Sequence, residues 1–209
     1  MKLLDLFCGA GGAAMGYSLA GFTEITGVDI APQPHYPFHF LCTEALAYVR
    51  DHGKEYDVIH ASPPCQAYSE ATPLQYRALA PDLITQTRTA LLLAGKPYVI
   101  ENVEGARKHL QHPLMLCGTM FGLPLWRHRY FECMPRLFQL LPACDHRVRP
   151  VLVSGSTHRK NERRRDYSIE DKRWAMQISW MNTTELDEAI PPIYTQWIGQ
   201  QICKCRERC

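Results

Sequence analysis

A cysteine directly after two prolines is the residue whose type and setting first suggest chemistry. Cys65 follows Pro63-Pro64, and the apolar run Val58–Ala61 before them is typical of a buried β-strand. Because proline lacks an N–H and restricts the residue before it, the strand has to end there and the chain has to turn. The turn would hold the Cys65 thiol on a stiff backbone, as a nucleophile requires. An isolated cysteine is more often a packing residue, so other stretches decide between the two interpretations.

A carboxylate follows the next predicted strand. The run 97–100 is apolar, and Glu101-Asn102 stands at its end, as Cys65 stands near the end of the preceding strand. One helix, predicted over 76–95, separates the two strands. If the strands are neighbours, the thiol of Cys65 and the carboxylate of Glu101 face one crevice at the strand ends, where open α/β sheets bind ligands. A purely structural acid at a strand end is the alternative.

The N-terminal segment combines a strand, a glycine turn and a helix. A strand is predicted over 2–6, Cys8-Gly9-Ala10-Gly11-Gly12 follows, and a helix is predicted over 13–20. This order opens nucleotide-binding units, because glycine permits positive φ angles and lets a ligand lie against the backbone. We expect Gly11 to be such a contact point. Asp29 ends the next strand, predicted over 24–28, where an acid binds ribose hydroxyls; a helix cap or turn residue is the alternative.

Strands and helices alternate along most of the chain, which predicts an α/β fold with a doubly wound, mostly parallel sheet. Leucines at 79, 83 and 91 with Thr87 predict a buried stripe on the 76–95 helix. Alternation along a strand over 127–133 would point Arg127 and Arg129 to the same side. The other predicted elements are a strand over 38–41, a helix over 43–51, a short helix over 106–111, a strand over 113–120, a helix capped by Ser168, a helix over 184–189 and a final helix opened by Pro191-Pro192.

The composition is that of a globular protein. The 209 residues suffice for one α/β domain, with 46% apolar and 21% charged residues. The N-terminus is expected to be a first strand and not a signal peptide, and no apolar run is long enough to cross a bilayer, so no membrane partner is expected. Nine cysteines without the regular spacing of a secreted scaffold predict reduced thiols in a cytoplasmic protein.

The net charge is only +2, so binding of nucleic acid would require a local basic patch. One strongly basic run lies within 159–165. It is either a solvated loop or a surface that contacts phosphates, and its basic residues are Arg159, Lys160, Arg163, Arg164 and Arg165.

The motifs occur in an order that is typical of one enzyme family. The stretches in question are Asp5-Leu6-Phe7-Cys8-Gly9-Ala10-Gly11-Gly12, Ser62-Pro63-Pro64-Cys65-Gln66, Glu101-Asn102-Val103 and Arg127-His128-Arg129-Tyr130-Phe131-Glu132. Together with 189–199, which resembles that family's last motif, the chain resembles the cytosine-C5 methyltransferases in the compact form seen in bacteriophage. The resemblance covers nearly the whole chain outside 134–170. It implies the Rossmann-like sheet of S-adenosylmethionine-dependent methyltransferases.

The resemblance implies a covalent mechanism. The Cys65 thiolate would add to carbon 6 of cytosine and make carbon 5 nucleophilic enough to accept a methyl group. Glu101, with a pKa raised by burial, would meet the displaced charge at ring N3 and the amino group. Arg129 would contact the carbonyl oxygen of the base, with Arg127 in support. Asn102 would order the loop around Glu101.

The implied methyl donor is S-adenosylmethionine. Its methionine end would lie on the glycine turn, its ribose at Asp29 and its adenine amino group at Glu44, where the family usually has aspartate. No metal belongs to the implied site. The residues expected to contact the donor are Phe7, Cys8, Gly9, Ala10, Gly11, Gly12, Asp29, Ile30, Glu44, Ala45 and Pro64.

The implied substrate is DNA, expected to be double-stranded with the target cytosine flipped out of the helix. A monomer is expected. The family's long target-recognition domain is missing, so we expect 1–133 plus 174–209 to form the catalytic domain and 134–173 to form a short target-recognition insert. The target is then short or degenerate, or a partner supplies specificity, or the substrate is not ordinary duplex DNA.

Two other functions remain open. One branch of the family methylates tRNA, so the same chemistry on RNA is an alternative. The second alternative is a catalytically idle nucleic-acid-binding protein on the same fold, although such a protein would not need Cys65, Glu101 and Arg129 together.

The cysteines near the C-terminus raise a separate question. Cys203, Cys205 and Cys209 could bind zinc together with Cys144 and His146. The spacing is not that of a regular C-x-x-C pair, which favours plain reduced thiols.

Overall fold

A seven-stranded sheet forms the centre of the computed structural model, which describes residues 1–69, 72–138, 140–147, 149–153 and 167–206. The strand order is β3-β2-β1-β4-β5-β7-β6; β7 runs antiparallel to both of its neighbours, and the other pairs are parallel. The predicted doubly wound, mostly parallel α/β fold is confirmed. The strands β1 to β7 are Lys2–Leu6, Glu24–Asp29, His39–Cys42, Val58–Ala61, Tyr98–Asn102, Leu114–Leu116 and Arg129–Met134.

Helices cover both faces of the sheet. Neighbouring strand residues point to opposite faces. Leu3 packs with the helices Gly12–Leu19 (α1) and Pro192–Arg206 (α7), whereas Leu4 packs with Ala45–His52 (α2) and Ile84–Ala94 (α4). Short 3-10 turns cover Gly53–Glu55, Glu104–His109 and Gly118–Phe121. The helices α1 to α7 are Gly12–Leu19, Ala45–His52, Leu74–Arg77, Ile84–Ala94, Ile169–Met176, Thr183–Glu188 and Pro192–Arg206.

The helix predicted over 76–95 is two helices. The chain breaks between α3 and α4 because Pro81 cannot donate the hydrogen bond that a continuous helix requires. The predicted apolar stripe is therefore correct only from α4 onward: Leu91 is fully buried, whereas Leu79 is 81% exposed.

The region after β5 also differs from the prediction. The helix expected over 106–111 is the 3-10 turn Glu104–His109, and the strand expected over 113–120 is only Leu114–Leu116. The last strand begins at Arg129, so Arg127 lies in the preceding loop. The prediction that Arg127 and Arg129 lie on one face of the same strand was therefore wrong.

The last helix returns to the first one. The Thr195 hydroxyl donates to the Ala13 carbonyl oxygen at 2.8 Å, and the indole N–H of Trp180 donates to the Ala10 carbonyl oxygen at 2.8 Å. A side chain at Gly16 would overlap the Thr195 hydroxyl and the Pro192 carbonyl oxygen, so only glycine permits this close approach. The serine cap of α5 is confirmed, since Ser168 Oγ accepts from the Asp171 N–H at 3.1 Å.

Among the residues that the structure describes, no helix is both long enough and apolar enough to span a membrane.

Candidate active site

Cys65 lies in a half-buried turn just beyond β4. Its carbonyl oxygen accepts two backbone hydrogen bonds, from Tyr68 and Ser69, both at 2.9 Å. The side-chain amide of Asn102 donates to the Pro63 carbonyl oxygen at 2.9 Å. The proline turn is therefore fastened on both sides of Cys65, which supports the expectation of a rigidly held thiol.

Glu101 lies on the strand next to Cys65. Strands β4 and β5 are parallel neighbours, with Ala61 opposite Ile100. The sequence left open whether these two strands are neighbours, and the structure shows that they are. Arg129 begins β7 on the other side of β5, and its Nε lies 3.1 Å from Glu101 Oε1. The structure brings together the predicted thiol, carboxylate and guanidinium at the carboxyl ends of β4 and β5.

The surroundings disfavour charge on both titratable groups. Burial raises the pKa of Glu101, although Arg129 and a hydrogen bond with Ser62 oppose the rise. Burial also raises the pKa of Cys65; the Glu101 carboxylate adds to this effect and Arg129 opposes it. The site at rest therefore favours a thiol beside a carboxyl group whose proton is easier to retain than in water.

Arg127 is tied to the C-terminal part of the chain. Its Nη2 donates to the Asp187 carbonyl oxygen at 2.6 Å, and its own carbonyl oxygen accepts from the Tyr194 hydroxyl at 2.6 Å. Burial, together with the neighbouring Arg129, lowers its pKa to about 9. These contacts make Arg127 a link between β7 and the last two helices.

A buried polar chain behind Glu101 was not anticipated from the sequence. The Tyr17 hydroxyl contacts His60 Nδ1 at 3.1 Å, and His60 Nε2 contacts the Ser62 hydroxyl at 3.0 Å, while Ser62 in turn hydrogen-bonds Glu101. Burial lowers the pKa of His60 to about 3, so its ring is neutral. The available signal was the alternation of His60 and Ser62 along one strand, which places both on the same side.

The glycine turn and the end of β2 lie next to each other. Phe7, Gly9 and Gly11 have φ angles of 55°, 47° and 84°. Asp29 accepts from the backbone N–H of Gly9 and from that of Ala31, each at 3.1 Å. Open space lies where a side chain of Gly9 would stand.

Gly11 has a reason to be glycine that the sequence did not reveal. A Cβ there would lie 2.7 Å from Pro37 Cδ and 3.0 Å from the ring of Tyr36. Its positive φ angle and this packing explain the residue without a ligand contact.

Glu44 acts as the N-cap of α2. Its two carboxylate oxygens accept from the backbone N–H groups of Leu46 and Ala47 at 2.9 and 2.6 Å. The contact between Glu44 and the adenine amino group stays a prediction. The Glu44 carboxylate that would make it already caps the helix.

The remaining predicted donor contacts differ in exposure. Ile30 is 76% exposed beside Asp29, whereas Cys8, Ala10 and Ala45 are buried. Gly12 begins α1 against the Ile190 carbonyl oxygen, and Pro64 is half-buried before Cys65. The basic residues Arg159, Lys160, Arg163, Arg164 and Arg165 lie outside the described residues.

Cys144 and His146 have other neighbours than the alternative zinc grouping assumed. Cys144 and His146 lie together, but they lie beside Cys117 and His128. Within the described ranges, the cysteines of α7, Cys203 and Cys205, do not belong to this group, and Cys209 lies outside those ranges.

Comparison with known proteins gives a consistent picture. The model of the family described as C-5 cytosine-specific DNA methylase matches residues 1–116. The Type II methyltransferase M1.HphI of Haemophilus parahaemolyticus is 31% identical over an alignment of 121 residues that covers 49% of this chain and 32% of the relative. The Type II methyltransferase M.HgiDI of Herpetosiphon aurantiacus is 31% identical over an alignment of 160 residues that covers 63% of this chain and 51% of the relative. The chain thus spans about a third of the length of the first relative and about half of the second.

Solved structures show the same fold. The Entamoeba histolytica methyltransferase EhMeth superposes with a TM-score of 0.63, covering 98% of both chains at 11% sequence identity. At this identity the likeness concerns the fold alone.

Proposed function

Since the chain belongs to the C-5 cytosine-specific DNA methylase family, we propose that it transfers a methyl group from S-adenosylmethionine to carbon 5 of cytosine in DNA. The observation that carries the proposal is the grouping of Cys65, Glu101 and Arg129 at the ends of β4 and β5. A protein that only binds nucleic acid would have no use for a half-buried nucleophile beside a buried ion pair.

The glycine turn and Asp29 suit the methyl donor. The Asp29 carboxylate is held by two backbone N–H groups and keeps lone pairs for ribose hydroxyls. The open space at Gly9 lets a ligand approach the backbone, and the exposed Ile30 offers an apolar contact for adenine. When bound, S-adenosylmethionine supplies a methyl group activated by a sulfonium. The residues of this turn bind and orient that group.

Cys65 activates the base as a nucleophile. Addition of its thiolate to carbon 6 of cytosine converts the ring into an enamine whose carbon 5 accepts the methyl group. Loss of the carbon 5 proton to water, return of the N3 proton to Glu101 and elimination of the thiolate then restore the aromatic ring and the free enzyme. The Glu101 charge is one cause of the raised Cys65 pKa, so a protonated Glu101, the form that donates to ring N3, favours the thiolate when the substrate binds.

Glu101 and Arg129 stabilise the electron density that addition pushes into the ring. A protonated Glu101 donates to ring N3, and its burial is what makes that proton available. Arg129 is fixed beside it through the 3.1 Å contact to Oε1 and through a 2.8 Å bond from Nη1 to the His128 carbonyl oxygen. The third Arg129 nitrogen, Nη2, would contact the carbonyl oxygen of the base.

Asn102 acts as a positioning residue. Its amide N–H binds the Pro63 carbonyl oxygen and its side-chain oxygen accepts from the Val103 N–H at 2.9 Å. The first bond connects the strand that carries Glu101 to the turn that carries Cys65, and the second holds the Asn102 side chain in place. A buried side chain thereby helps to set the distance between nucleophile and acid.

Transfer of a labelled methyl group tests the proposed function. The purified protein is incubated with labelled S-adenosylmethionine and, in separate reactions, with duplex DNA, tRNA or cytidine nucleotide. We expect label in DNA alone, recovered as 5-methylcytosine after hydrolysis, and none with Cys65→Ala. Label in tRNA would move the substrate to RNA, and labelling of none of the three by a protein that binds the donor would support the idle binding protein.

A further inference from the structure

Four side chains that ligate metals converge beside the candidate active site. Cys117 precedes the turn Gly118–Phe121, His128 precedes β7, and Cys144 and His146 follow β7 in the predicted insert. Their sulfur and ring-nitrogen atoms all lie within 4.8 Å of one another. Residues up to 29 positions apart along the chain thus direct two sulfur and two nitrogen atoms to one point.

Three of the six distances between the four ligand atoms are close to the edges of a tetrahedron around zinc. His128 Nε2 and His146 Nε2 are 3.2 Å apart, and sulfur-to-nitrogen distances are 3.4 Å for Cys117 to His146 and 3.8 Å for Cys144 to His128. Bond lengths to zinc of about 2.3 Å from sulfur and about 2.0–2.1 Å from nitrogen require edges of about 3.3–3.8 Å. A donor set of two thiolates and two imidazoles is one that zinc prefers.

The neighbouring residues hold the four ligands in place. Trp126 stacks on His146 with the ring centroids 4.7 Å apart, and His146 stacks on His128 at 4.9 Å. The Thr119 hydroxyl lies 3.4 Å from the Cys117 sulfur and accepts from the Asp145 N–H at 3.1 Å. Contacts of this kind orient ligands from outside the coordination sphere.

We propose that Cys117, His128, Cys144 and His146 bind one zinc ion that fastens the start of the predicted insert to the sheet. Four protein ligands fill a tetrahedral site and leave no position for a substrate, so the ion is structural. His128 is a ligand through its ring, and its carbonyl oxygen accepts from Arg129 Nη1 at 2.8 Å. The ion therefore also fixes the residue whose carbonyl oxygen orients the Arg129 guanidinium.

Metal content of the purified protein tests the site. The untagged chain is produced in zinc-supplemented medium, purified without chelator and analysed by plasma mass spectrometry. We expect about one zinc ion per chain. Cys144→Ser and His146→Asn should lose most of it, whereas the exposed Cys42→Ser, a matched control, should keep it. A double Cys203→Ser, Cys205→Ser variant should also keep it, since these residues lie on α7 outside the cluster.

Reconstitution with cobalt keeps the test independent of how well the variants fold. The wild-type protein, stripped of metal and given Co²⁺, should show the visible absorption of tetrahedral cobalt bound by thiolates, and a chelator should lower its melting temperature.

Two results would overturn the proposal. One is a wild-type protein that neither contains zinc nor binds cobalt, which would leave a hydrogen-bonded cluster of thiols and imidazoles. The other is loss of zinc only when the α7 cysteines are replaced. Neither result touches the proposed methyl transfer, which is measured separately.

Discussion

Cys65 is flanked by two opposite charges that act on its reactivity. The Glu101 carboxylate raises the pKa of the thiol beyond the effect of burial, and the Arg129 guanidinium lowers it. The two charged groups also contact each other at 3.1 Å, so neither acts on the thiol alone. Removal of the Glu101 charge should therefore lower the pKa of Cys65, and removal of the Arg129 charge should raise it.

Alkylation of Cys65 should respond in opposite directions to two substitutions. Glu101→Gln removes a negative charge, lowers the Cys65 pKa and shifts the rise of alkylation rate with pH to lower pH. Arg129→Gln removes a positive charge and shifts it to higher pH. At one fixed pH below the thiol pKa we expect several-fold faster labelling in the first variant and slower labelling in the second. The measurement is iodoacetamide labelling followed by peptide mass spectrometry.

Cys42 is the internal control for this experiment. It is exposed, and it is labelled in the same digest, so its rate should be equal in all three proteins. A shift of Cys65 in the same direction in both variants would mean that the two charges do not act on the thiol as described.

Among the elements, the contact between α1 and α7 brings the end of the chain to the glycine turn. Thr195 on α7 hydrogen-bonds the first turn of α1, and Gly16 permits the close approach of the two backbones. Tyr194, the neighbour of Thr195, donates to the Arg127 carbonyl oxygen. One helix, α7, therefore contacts both the helix that follows the glycine turn and the loop that carries Arg127.

Gly16→Ala should destabilise the protein although alanine is the better helix former. The added methyl group overlaps the Pro192 carbonyl oxygen, which is backbone and cannot move aside cheaply. We expect a loss of about 1–3 kcal/mol in the free energy of unfolding, as for other overpacked sites. Ser18→Ala on the same helix gains the propensity without the overlap and serves as the control. Urea denaturation measures both, and a Gly16→Ala protein as stable as Ser18→Ala would remove the close approach from the account.

The elements also show what the sequence could reveal. Strands β1, β2, β4 and β5 and the positions of Cys65, Asp29 and Glu101 at their ends could be predicted, because apolar runs that stop at proline, glycine or acid are local signals. The break before α4 was missed because the period continued across Pro81. The grouping of Cys117 and His128 with Cys144 and His146 depends on how three loops pack, and no local pattern encodes that packing.

At the scale of the whole molecule, the chain has few residues for reading a target sequence. Recognition of base edges requires several side chains held rigidly in a groove. The predicted insert 134–173 contains a segment beside the proposed zinc site and the basic run 159–165, which lies outside the described residues. Basic side chains there would neutralise phosphates, which gives affinity and position but little sequence information.

Replacement of Arg163, Arg164 and Arg165 by alanine should weaken DNA binding equally for different sequences. Each lost phosphate contact should reduce the slope of log affinity against log salt by about one. Binding titrations at several salt concentrations measure this, with Arg50→Ala on the exposed side of α2 as the control.

Bisulfite sequencing of DNA from expressing cells should show methylation in a short or degenerate context. Methylation confined to one site of about six or more defined bases would contradict this interpretation.

The most direct test of the account asks whether Cys65 forms the covalent bond. A DNA duplex with 5-fluorocytosine at the target should trap the protein in the presence of S-adenosylmethionine, because fluorine at carbon 5 blocks the final elimination. We expect a protein–DNA complex that survives denaturing electrophoresis, with the modified peptide containing Cys65. Cys65→Ala should bind the donor and form no complex, whereas Cys42→Ala should form it as the wild type does. A complex that persists in Cys65→Ala would assign the nucleophile elsewhere and contradict the mechanism.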